Sequence, residues 1–183
     1  PTANQLAEFS RKIASSREIP DFVIKQIKSY QKNIPPMTAL RSAVSALGMA
    51  DDHAEDPGVE ANFEKSINLI ASLSSLIAAI HRIRQGLEPL APNPEMSQAA
   101  DFMRQLTGKD PSADETKAMD LILILHAEHG LNASTFAGRV IIATLTDIYS
   151  AITGAIGALK GPLHGGANVE VLKALQEIGD VGN

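Results

Sequence analysis

Histidine is the side chain best suited to hold or move a proton near neutral pH, and three of this chain's five histidines stand where they could do chemistry. His164 lies in Gly161-Pro162-Leu163-His164-Gly165-Gly166-Ala167-Asn168, a glycine-rich turn directly before a helical segment. Glycine permits close backbone approach and positive φ, Pro162 sets the course of the turn, and unpaired N–H groups of the following helix favour an anion beside it. A bound carboxylate or a developing enolate suits that place. An imidazole there can donate a hydrogen bond to a carbonyl oxygen, and a positive helix end helps keep it neutral. Read alone, such a loop is more often a tight connection than a ligand site.

Upstream, His126 and His129 follow an apolar run and precede Asn132, Ser134 and Thr135. Three residues apart, the two histidines share one helical face. His-x-x-His spacing could hold a metal, but neither Glu128 nor Asp120 stands out as a third ligand. Ser134 and Thr135 read as polar groups opening a helix. Arg41 is a conceivable anion contact, with a helix-surface role as the plainer reading.

The elements that must carry these residues read as helices almost throughout. Aromatic residues make up only 4% of the chain, alternating strand patterns are missing, and Pro and Gly punctuate segments of helical length. The expected helices run over about 4–15, 20–30 and 36–47, with Pro20 and Pro36 as first-turn prolines. A polar, acidic loop covers 48–58. Phe63, Ile67, Ile70, Leu73, Ile77 and Ile80 recur at three- and four-residue spacing and predict a long helix over 59–84, ended by Gly86. Prolines 89, 92 and 94 make 87–95 an extended connection. A short helix over 97–106 follows, and Ser112 with Glu115 forms a capping box opening a helix that ends at His129. Two helices separated near Thr146-Asp147 lead to the Gly161 turn, and a last one spans 167–178.

The 183 residues suffice for one α domain with a core. A net charge of −5 with scattered basic residues argues against nucleic-acid binding. The absence of cysteine removes disulfides, thiol nucleophiles and Cys-based zinc sites; with no signal peptide, a cytoplasmic location is expected. The run from Val140 to Leu159 nearly matches a membrane span, but Asp147 interrupts it, so it reads as two buried helices and no membrane is expected. Helices apolar on most faces need cover from every side. A chain this small needs a second subunit or further sequence to provide it.

From His126 to Asn168 the sequence resembles the central part of citrate synthases, including the closely similar 2-methylcitrate synthases. The resemblance is carried by His-Ala-Glu-His-x-x-Asn-Ala-Ser-Thr, then Ile148-Tyr149-Ser150-Ala151-Ile152, then the Gly154 to Lys160 run into Gly-Pro-Leu-His-Gly-Gly-Ala-Asn. A weaker match through Pro36-Met37-x-x-Leu40-Arg41-x-x-Val44-Ser45-Ala46-Leu47 extends it over essentially the whole chain; Pro35 replaces the histidine common before Pro-Met.

The resemblance implies an all-α fold, the multi-helical large domain of citrate-synthase type, with residues 1–183 forming one helical part of it and the small domain absent. It implies an acyltransferase that condenses acetyl-CoA with oxaloacetate through an enolate and a citryl thioester. His164 would stabilise the enolate, His129 would bind oxaloacetate, and His126 and Asn132 would line the site or support it as hydrogen-bond donors. No metal or cofactor is implied, acetyl-CoA being a substrate. The helices between Ala133 and Lys160 would pack against a second subunit in a homodimer, with Gly154, Gly157 and Gly161 permitting close helix crossing. The family's second histidine, its proton-abstracting aspartate and several arginines would lie beyond Asn183, so the chain reads as an internal fragment, inactive alone. Leu163, where methylcitrate synthases often carry lysine, favours acetyl-CoA over propionyl-CoA. The alternative from another class is a non-catalytic helical dimerisation or interaction module.

Overall fold

The computed structural model describes residues 1–127 and 130–179. Among them are nine helices and no strand: α1 Ala3–Ser15, α2 Asp21–Lys28, α3 Pro36–Gly48, α4 Val59–Arg84, α5 Gln98–Thr107, α6 Ala113–His126, α7 Ala133–Ile142, α8 Ile148–Leu159 and α9 Ala167–Ile178. The all-α expectation holds. Local chemistry accounts for most helix starts. Thr2 with Gln5 and Ser112 with Glu115 form reciprocal capping boxes, and the side chains of Ser97, Asn132 and Asp147 accept first-turn amides. Pro36 occupies the first turn of α3 as expected, whereas Pro20 is the residue before α2 and not its first. The helix expected to run to His129 ends at His126.

The core forms where α2, α3, α4 and α8 meet. Val23, Ile27, Ala43, Val44, Leu76 and Ile156 are central to it, and α3 lies between α4 and α8. The α4 helix is long and apolar enough to cross a bilayer by length and composition, but half of its apolar stretch is buried by the rest of the chain. That burial identifies it as a core helix. Lys65 on α4 is also buried; its ammonium donates to the carbonyls of His53, Ala54 and Asp56 at 3.3, 2.9 and 2.6 Å, fixing the acidic loop after α3. Tyr149 of α8 donates to Asp51 in the same loop at 2.8 Å. Burial and then the Asp51 carboxylate push its phenol above the usual range, so it stays a donor.

A second set of buried polar groups ties the proline-rich connection to α5. Arg17 and Asp101 are both almost wholly buried and pair at 3.2 Å. Arg17 also donates to the Gln98 side chain and to the carbonyls of Asn93 and Met96, while Asp101 accepts from Asn93 N, Arg104 and Gln105. Every partner is hydrogen-bonded, the condition under which a buried ion pair is tolerated. Because α6 packs on α5, this network sets the base from which the His126 segment projects.

The C-terminal helices depart from expectation. Val140 to Leu159 does form two helices, but α7 has no buried residue, and of α8 only Tyr149, Ala151 and Ile156 are buried. Leu121 to Leu125 on α6, Phe136 and Val140 on α7, and Leu172 and Leu175 on α9 are exposed. The physical reason is the one anticipated: 183 residues do not cover helices that are apolar on most faces.

Candidate active site

The α7 and α8 helices pack side by side, joined by a corner in which Leu145 takes a left-handed conformation (φ 66°). Gly154 leaves room for Ile141 of α7, since a Cβ there would lie 2.1 Å from its Cδ1 and the side chain would have to turn away. Beyond α8 the chain turns tightly, with His164 N donating to Gly161 O and Gly165 N to Leu159 O, both at 3.0 Å. The glycines of this turn provide room and not handedness. None of Gly161, Gly165 and Gly166 has positive φ, but a Cβ at Gly165 would sit 2.3 Å from Leu159 O, and one at Gly166 2.8 Å from Pro162 Cα. The expectation of left-handed glycine in this turn is corrected accordingly.

This turn delivers the half-buried His164 to the first turn of α7. Its Nε2 lies 3.3 Å from Ser134 N and 2.9 Å from Ser134 Oγ. Ser134 Oγ is also 2.7 Å from Asn132 Oδ1, which accepts Thr135 N at 2.9 Å as the cap of α7. Asn132, Ser134 and His164 are thus brought together. The Ser134 hydroxyl can turn toward either neighbour, but its amide proton cannot, and that proton points at Nε2. Assigned from this network, Nε2 is the acceptor and the imidazole proton sits on Nδ1. Nδ1 makes no hydrogen bond to any described residue. It is left as a donor for an incoming oxygen.

The helix end that touches the imidazole belongs to α7, whereas α9 was expected to supply it. Ser134 stands in the first turn of α7, as its reading as a helix-opening group expects, while Asn132 does the capping. What the sequence did not show is that the Ser134 hydroxyl also meets His164.

His126 takes no part in this cluster. Exposed in the last turn of α6, it pairs through Nδ1 with its own helix at Ile122 O, 2.8 Å away. His129 lies outside the described residues. Among the described residues, no three His, Asp or Glu side chains gather closely enough to hold a metal ion. A separate cleft of about 360 Å³, lined by Glu18, Asp51, Asn68, Ser72 and Tyr149 among others, includes none of the His164 cluster.

Comparison with known proteins shows which family the chain resembles. Residues 1–183 match the family described as citrate synthase, C-terminal domain. Citrate synthase 2 of Bacillus subtilis is 50% identical over 184 residues, covering 100% of this chain and 50% of that protein. The 2-methylcitrate synthase of Mycobacterium tuberculosis is 42% identical over 183 residues, covering 100% and 46%. Among solved structures, a ternary complex of carboxymethyl coenzyme A and oxaloacetate with citrate synthase from Thermoplasma acidophilum superimposes with a TM-score of 0.91 at 31% identity, over 98% of this chain and 47% of that one. The chain therefore spans about half the length of the relatives it matches.

Proposed function

Because the chain belongs to the citrate synthase family, we propose that it supplies the enolate-stabilising half of a condensation between acetyl-CoA and oxaloacetate. The observation that carries this reading is the hold on His164: Ser134 occupies Nε2, leaving Nδ1–H free to donate. In the proposed step a base removes a methyl proton from the thioester, and the Nδ1–H group donates to the thioester oxygen as negative charge builds there. A donor fixed before the reaction costs no reorganisation when the charge appears. The enolate carbon then attacks the oxaloacetate carbonyl, and water cleaves the citryl thioester to citrate and CoA. His129 is proposed to bind oxaloacetate, with Asn132 holding Ser134 and His126 in support.

The base, a second histidine and the substrate-binding arginines are assigned to sequence outside these 183 residues, so the isolated chain is expected not to turn over. The exposed apolar faces of α6, α7 and α9 support a homodimer through the helices between Ala133 and Lys160. The compartment proposed is the cytoplasm. Leu163, where 2-methylcitrate synthases often carry lysine, supports acetyl-CoA over propionyl-CoA. The same exposed faces are what a non-catalytic helical module would show, and turnover separates the two readings.

Grafting the chain in place of the matching half of Bacillus subtilis citrate synthase 2 tests the proposal. The chimera should release thiol from acetyl-CoA only when oxaloacetate is present. His164→Ala should lower kcat by about 10²–10³-fold, the usual cost of losing an oxyanion donor. A folded chimera whose turnover is insensitive to His164→Ala would overturn the assignment.

A further inference from the structure

Arg41 is the residue that the proposed reaction leaves without a task. It projects from α3 half-buried, and forms no ion pair or hydrogen bond with any described residue although the chain holds 21 acidic side chains. Its stem lies along α8, with Cδ 3.8 Å from where a Cβ of Gly157 would stand. One turn earlier on the same face of α8 is Thr153. Its hydroxyl oxygen is shielded from solvent and has no hydrogen-bond partner.

Arg41 and Thr153 line one cleft of about 310 Å³, together with Gln26 of α2, Ser42 and Ser45 of α3 and Met49 just after it. Three helices thus direct a guanidinium, the Ser45 and Thr153 hydroxyls and a carboxamide at one space that no carboxylate lines, while the Ser42 hydroxyl donates to Thr38 O at 3.2 Å. Buried hydroxyls are almost always satisfied, so an orphan beside an unpaired arginine calls for a ligand. The guanidinium fork matches the paired oxygens of a carboxylate or phosphate, and the hydroxyls can fill the remaining lone pairs.

We propose that the cleft between α2, α3 and α8 is an oxyanion site in which Arg41 and Thr153 bind a carboxylate or phosphate group. That group comes either from a free small molecule or from an acidic side chain of a second copy of this chain. The cleft shares no residue with the Asn132–Ser134–His164 cluster, so it stands or falls independently of the condensation chemistry.

The test is titration of the 183-residue chain with inorganic phosphate and with citrate, read as the shift in unfolding midpoint. Sodium chloride at equal ionic strength is the control, and sedimentation is run in parallel. For a free anion, the shift saturates in wild type and survives His164→Ala. Arg41→Gln then weakens the apparent affinity roughly tenfold or more, and Thr153→Val about fivefold, as expected for charged and neutral hydrogen bonds. Circular dichroism of both variants confirms that they fold, and Thr153→Val alone carries the test if Arg41→Gln does not. For an acidic side chain of a second copy, neither anion shifts the midpoint, but Arg41→Gln or Thr153→Val weakens self-association by similar factors. An anion response that persists in both variants, or no effect of either anion and unchanged association in both, overturns the proposal.

Discussion

At the scale of single residues, the state of His164 depends on a neighbour 30 positions away. The Ser134 amide donates to Nε2 of His164, the basis for assigning the ring proton to Nδ1, while its hydroxyl lies 2.9 Å from the same nitrogen. Ser134→Ala keeps the amide and removes the hydroxyl. In the chimera it should lower kcat about tenfold, the cost of roughly 1–1.5 kcal/mol of hydrogen bonding, with KM for oxaloacetate little changed; steady-state kinetics checks this. A larger effect on KM than on kcat would mean that Ser134 contacts substrate and does not position the ring. His164, Asn132 and the glycine turn were all legible in the sequence, because their types and spacing are local. The role of Ser134 was not, because only packing of α7 on α8 decides which hydroxyl meets an imidazole.

At the scale of elements, caps and buried pairs carry separable predictions. Asp147 opens α8, accepting from Ser150 N at 2.8 Å and from its hydroxyl at 2.5 Å. Burial acts to raise its carboxyl, but the hydrogen bonds from Ser150 outweigh it and hold the group below the ordinary value of 3.8. A carboxylate with a lowered folded value stabilises the fold above the unfolded value, and that contribution is lost as pH falls through the folded one. Asp147→Ala should therefore cost about 1 kcal/mol near neutrality, and the gap from wild type should close below about pH 4, where the unfolded group protonates. Urea unfolding at pH 7 and pH 3 measures both. Asp101→Ala should be far worse, roughly 3–5 kcal/mol, because it strands the buried Arg17 guanidinium. Thermal unfolding reads that loss, and increased cleavage within α6 by limited protease would show that α5 is its support. Element boundaries followed from the sequence closely where caps are local, as at Thr2, Ser112 and Asp147. The end at His126, three residues short of the expected stop, had no such punctuation.

At the scale of the whole molecule, the unequal burial of its two halves dominates. α2, α3 and α4 enclose a core, while α6, α7 and α9 present leucine, isoleucine, valine and phenylalanine to solvent. Apolar surface of that extent favours association. Sedimentation should show concentration-dependent dimers, and Val140→Lys, at a half-exposed position on α7 (53%), should shift the equilibrium to monomer by placing a charge in the interface. A wild-type chain that stays monomeric at high concentration would remove the homodimer from the proposed function.

The sequence by itself determined the helical character, most helix starts and the histidine turn, since each rests on interactions spanning a few residues. Periodicity separates helix from strand, a capping side chain reaches three residues, and proline and glycine act where they stand. Tertiary structure alone decided that Gly165 and Gly166 serve close approach and not handedness, and that α7 meets His164. It also decided that Arg17 meets Asp101 84 positions away, and that Arg41 meets no partner among the described residues. Those outcomes depend on how whole helices pack against one another, and side-chain spacing along a chain carries no record of the distances that packing creates.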